Sequence, residues 1–97
     1  MPSFLVETFL ARGRSGERGS RERRARAAAE ELTRAGVRVR FEGTIDIPED
    51  EICFVVFATS SSQNAALAAT RAQLDPFRIV EAVTSGEETL GSGRGRQ

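Results

Sequence analysis

The sequence predicts an α+β domain in which two helices cover one face of a four-stranded antiparallel sheet, and three observations predict it. Segments of strand composition run over Ser3 to Leu10, Val37 to Asp46, Ile52 to Ala58 and Phe77 to Thr84. Alanine-rich segments with helical spacing follow the first and the third of them. The length of 97 residues admits one such domain and no second, because a chain of this size buries only about two-thirds of its unfolded surface around a single core.

Ser3 to Leu10 is rich in aliphatic and aromatic residues, with Phe4, Val6, Thr8 and Leu10 pointing one way and Leu5, Glu7 and Phe9 the other. From Ala11 to Ser20, glycines and arginines crowd together without an apolar face, which predicts a loop. Ala25, Ala28, Ala29 and Leu32 then recur at helical spacing, with Arg26, Glu30 and Arg34 on the solvent side in i,i+4 pairing, and Gly36 ends the helix as a left-handed cap. Val37 to Asp46 alternates without a break. Val37, Val39, Phe41, Gly43 and Ile45 take one face, and Arg38, Arg40, Glu42, Thr44 and Asp46 the other.

Pro48-Glu49-Asp50 supplies a turn, and Ile52 to Ala58 is then so continuously apolar that both of its faces must be covered. Ser60 to Ser62 offer N-caps for the second helix, with Ser60 and Gln63 at capping-box spacing and Leu67 and Leu74 on one face; Asp75-Pro76 stops it. Strand, helix, strand, strand, helix, strand is the split βαβ order of a ferredoxin-like sandwich, with the first and third strands central. The domain is expected over residues 1–85, and a disordered tail rich in Gly, Ser, Glu and Arg over 86–97.

Two helices cover one sheet face only. If the second and third strands form a hairpin with an even-numbered loop, Ile45 falls opposite Phe54 and Asp46 opposite Cys53. Continuing the alternation from Val37 puts Ile45 and Phe54 under the helices and leaves Cys53, Val55 and Phe57 on the open face. Such an apolar patch calls for a cover, and a second copy of the chain is the simplest one. A homodimer is therefore expected, with Phe57→Glu breaking it.

Composition narrows the chemistry. Histidine, tyrosine and tryptophan are all absent, which removes the usual general base near neutral pH, the commonest transition-metal ligand and the phenolic acid. Formal net charge is zero, which argues against bulk capture of nucleic acid or an anionic membrane. No apolar run approaches the roughly 18 residues of a membrane-spanning helix, the N-terminus does not read as a signal peptide, and the single cysteine forms no internal disulfide; a cytoplasmic location is expected. Every basic residue is arginine. Seven lie between Arg12 and Arg26, where they read as a solvated loop and helix start.

On these faces, Glu7, Arg40, Glu42, Asp46 and Cys53 are the candidate ligand-binding residues, and Glu7, Asp46 and Glu81 the candidate metal ligands. Glu7 stands out because an acid in a covered strand needs a partner. Arg38 and Arg40 pair equally well with Glu42 on an exposed edge strand, where charge discourages aggregation. Cys53 reads as a small core residue, since nothing would activate its thiolate.

Phe4-Leu5-Val6-Glu7-Thr8-Phe9-Leu10, Val37-Arg38-Val39-Arg40-Phe41, Pro48-Glu49-Asp50-Glu51 with Cys53-Phe54, and Arg78-Ile79-Val80-Glu81-Ala82-Val83 together resemble a family of short, mostly bacterial proteins of unknown function that includes actinobacterial nickel-binding, nickel-responsive members. The resemblance spans Ser3 to Thr84. It implies a ferredoxin-like fold, a dimer, and a divalent metal such as nickel as cofactor, although imidazole, which suits nickel well, is missing here. Three functions follow: a dimeric binding protein for a metal ion or small ligand, a dimeric α+β barrel enzyme acting on a small organic compound, or an interaction module working through its arginines.

Overall fold

The structure, a computed structural model, describes residues 1–83; the expected tail over 86–97 lies outside them. Strands β1 (Ser3–Phe9), β2 (Val39–Ile47), β3 (Ile52–Thr59) and β4 (Arg78–Ala82) form one antiparallel sheet in the order β2-β3-β1-β4. Helices α1 (Glu17–Arg34) and α2 (Ser62–Arg71) pack on the same sheet face. This is the ferredoxin-like order, with β1 and β3 central as the sequence predicts.

The core lies between that face and the helices. Ala25, Ala28, Ala29 and Leu32 of α1 and Ala68 and Ala69 of α2 meet Val6, Val55 and Phe57, all buried. Alanine at the contact positions lets the helices approach closely, and Phe57, fully buried, fills the space between them and the sheet. Truncating it to alanine would cost about 3–5 kcal/mol.

The faces of β3 are therefore the reverse of those expected. Cys53, Val55 and Phe57 lie under the helices, while Ile52, Phe54 and Val56 line the open face. The expected pairings themselves are present, Ile45 with Phe54 and Asp46 with Cys53. What inverts the assignment is a β-bulge in β2. Phe41 pairs with Phe57 but Gly43 pairs with Val56, so Glu42 is an extra residue with no opposite number. Gly43 accommodates the kink at φ +145°, a backbone conformation open to glycine and strained for other residues. Val39 and Phe41 face the helices before the bulge, and Thr44 and Asp46 do so after it. Unbroken alternation in the sequence conceals this change of phase.

Two further expectations are corrected. Helix α1 begins at Glu17, preceded by a 3-10 turn at Arg12–Arg14, within the stretch expected to be a loop. Long polar side chains rather than an apolar stripe hold its first turns. Arg18 pairs with Asp46 at 2.7 Å, and Arg21 donates to the Thr8 hydroxyl and the Phe9 carbonyl, each at 2.8 Å. In α2, Leu67 is half exposed and the buried face is Ala65, Ala68 and Ala69; Ser61 is the N-cap, its hydroxyl accepting from the Asn64 N–H at 3.2 Å.

Both helices end in the same hydrogen-bonded motif. The Val37 N–H donates to the Leu32 carbonyl after α1, and the Leu74 N–H to the Ala69 carbonyl after α2, each at 2.9 Å. The left-handed position is Gly36 in the first and Gln73, at φ +61°, in the second.

Candidate functional site

The open sheet face has a sector of mainly apolar side chains and a polar margin. Leu5 and Val80, Val56 and Phe54, and the three isoleucines Ile45, Ile47 and Ile52 carry the apolar part. It is most exposed at the β2–β3 hairpin end, where Ile45 is 49%, Ile47 37% and neighbouring Phe9 50% exposed. Isolated apolar side chains on a surface are ordinary, whereas a contiguous set on one sheet face marks a candidate site of contact.

Two polar groupings interrupt it. Glu7 accepts from the Nε–H of Arg78, directly opposite on β4, at 2.8 Å. At the far end, the Ser3 hydroxyl donates to Glu42 at 2.7 Å and Arg40 donates to the other oxygen of that carboxylate at 3.1 Å. The Ser3 hydrogen bond, ahead of Arg40, lowers the Glu42 pKa below its usual value, against a partial opposing effect of burial.

The expected site residues consequently divide between two faces. Glu7, Arg40 and Glu42 share the open face, but Glu7 is level with Phe54 whereas Arg40 is level with Ala58. That is four residues apart along the strands, about 13 Å. Asp46 lies on the helix-covered side, tied to Arg18. Cys53 is fully buried there, and burial pushes its thiol pKa up, with Arg21 pulling it back to a smaller extent. Glu81 sits opposite Phe4, on the helix side of an edge strand. Glu7, Asp46 and Glu81 are thus not gathered in one copy of the chain. Among the described residues no group of three or more Cys, Asp or Glu side chains is placed to hold a metal ion.

Sequence reasoning missed two partner residues and one groove. Arg78, the partner that Glu7 requires, opens β4 and is identifiable only once β1 and β4 are registered. Ser3 reaches Glu42 across 39 positions of sequence. A concave space of about 600 Å³ between α1 and β2 is lined by Arg26, Arg34, Arg38 and Arg40, with Glu30 and Phe41 among them. Arg26 and Arg34 come from α1, Arg40 from β2 and Arg38 immediately precedes that strand, and only the packing of helix on strand makes them neighbours.

Comparison with family models, with curated proteins and with solved structures finds no match. No helix among the described residues is long and apolar enough to cross a membrane.

Proposed function

We propose that this chain is a homodimeric binding protein that joins its open sheet face to that of a second copy and holds a small organic ligand between the two sheets. The observation that carries this reading is the contiguous apolar sector of that face, from Leu5 and Val56 to the half-exposed Ile45 and Ile47. Covering each large apolar side chain is worth roughly 1.5–3 kcal/mol, a substantial share of the about 5–15 kcal/mol that a whole domain has. The Glu7–Arg78 pair gives the mostly apolar space one polar anchor, suited to a ligand that carries a single donor or anionic group on a hydrophobic body. The resemblance to a family with nickel-binding members agrees with a dimer. A metal version would require carboxylates from both copies, because Glu7 alone of the three expected metal ligands lies on the open face.

Light scattering at micromolar concentration tests the dimer. Wild type should have twice the chain mass and Phe54→Glu the mass of one chain, with its circular dichroism unchanged. Phe57→Glu, in contrast, should unfold the domain, since Phe57 lies in the core. A monomeric wild type would remove the dimer. Native mass spectrometry of the gently purified dimer tests the ligand, whose added mass should disappear in Phe54→Glu. Titration of the dimer with nickel, repeated with Glu7→Ala, tests the metal version.

A further inference from the structure

Twelve arginines lie within residues 1–83. Eight of their side chains make a hydrogen bond or an ion pair within the described residues. The four that make neither are Arg23, Arg26, Arg34 and Arg38, and three of these line the single groove between α1 and β2. A compositional bias toward arginine would scatter unpaired guanidinium groups over the surface. Their concentration in a concavity, with Arg40 at its margin, is a different pattern.

From this we infer that the groove is a binding site for an organic ligand bearing two or more phosphate groups. Arg26, Glu30 and Arg34 follow one another at i,i+4 along one helix row, so the two guanidinium groups arise about 12 Å apart along the axis. Arg38 borders the groove from the strand side, and Arg40, which also donates to Glu42, closes its margin. Guanidinium groups bind phosphate oxygens through paired N–H donors, and several of them spread along a groove suit several phosphates better than one carboxylate. The remaining wall is mostly apolar, with Met1, Ala29, Val39 and Phe41 beside the Thr33 hydroxyl, and Arg26 lies over the Phe41 ring at 5.1 Å. That wall offers a seat to a flat organic group. Glu30, a carboxylate among four cations, opposes an unbroken phosphate chain and accepts from a hydroxyl or amino group of the same ligand. The volume of about 600 Å³ lies within the ordinary range for small-molecule sites.

Two other occupants fit less well. An acidic peptide would gain most by adding a strand to β2, but at this end the edge is already taken. The Thr33 hydroxyl donates to the Val39 carbonyl at 2.9 Å and accepts from the Val39 N–H at 3.2 Å. A nucleic acid strand draws its affinity from many phosphate contacts, which a chain of zero formal net charge carrying Glu30 in the groove is poorly built to supply.

Isothermal titration of the full chain with ATP and with inorganic tripolyphosphate, at low and at physiological salt, tests the site. Wild type should bind ATP, and Arg34→Ala with Arg38→Ala should weaken binding by at least about ten-fold, the loss expected from one charge-assisted hydrogen bond. Both residues are exposed, so circular dichroism should be unchanged. Arg23→Ala removes an equally unpaired arginine outside the groove and should leave binding as it was. Tighter binding of ATP than of tripolyphosphate supports a phosphate ester seated against Phe41. No binding of either probe, an equal loss in Arg23→Ala, or tighter binding of a single-stranded oligonucleotide than of ATP would overturn the proposal.

Discussion

Glu7 and Arg78 stand directly opposite each other on the neighbouring antiparallel strands β1 and β4, with the Arg78 Nε 2.8 Å from a Glu7 carboxylate oxygen. Glu7 is mostly covered and Arg78 mostly exposed, so solvent screens the pair from one side. A double-mutant cycle with Glu7→Ala and Arg78→Ala should give a coupling of about 0.2–1 kcal/mol, the range for such cross-strand and surface pairs. A coupling of zero by urea denaturation would show that the pair is not held in solution.

The bulge in β2 depends on the backbone of Gly43 at φ +145°, and nothing lies within 4 Å of where its Cβ would be. The cost of Gly43→Ala is therefore conformational rather than steric. It should destabilise the domain by about 1–3 kcal/mol, read as a lower denaturation midpoint with unchanged slope. A neutral result would mean that the strand pairs without this kink.

Gln73 holds the left-handed position that Gly36 holds after the first helix. A non-glycine residue there costs about 1–2 kcal/mol, partly offset by the greater unfolded-state freedom that glycine brings. Gln73→Gly should raise stability by about 0.5–1 kcal/mol, visible as a higher thermal midpoint. No gain would place the strain elsewhere.

The Ser3–Glu42 hydrogen bond makes a pH-dependent contribution. Because the folded pKa of Glu42 lies below its usual value of 4.5, its stabilisation is present above that pH and is lost as pH falls through the lowered folded value. Ser3→Ala should move the Glu42 titration, followed by carboxyl NMR, back toward 4.5 and weaken the acid end of the stability profile. An unmoved titration would assign the shift to Arg40 alone.

Cys53 is fully buried with a raised thiol pKa, so it should react with an aromatic disulfide reagent only as the domain opens. Native protein at pH 8 should label far more slowly than protein in denaturant. Rapid labelling of the native state would contradict its position beneath the helices.

The sequence by itself determined the order of elements, the central places of β1 and β3, the alanine face of the first helix and, given an even-numbered hairpin loop, the pairing of Asp46 with Cys53. Each is a local property, carried by composition, by period and by turn residues, and so can be read without knowing what lies opposite. It also singled out Glu7 as an acid in need of a partner. Only the tertiary structure decided which sheet face meets the helices. That choice turns on one bulged residue, Glu42, and a bulge preserves the alternation of the chain while shifting its register against the next strand. The same limit hid Arg78 from Glu7 and kept the arginines of the α1–β2 groove apart. Pairings between residues distant in sequence are created by packing, and no periodicity within one segment records them.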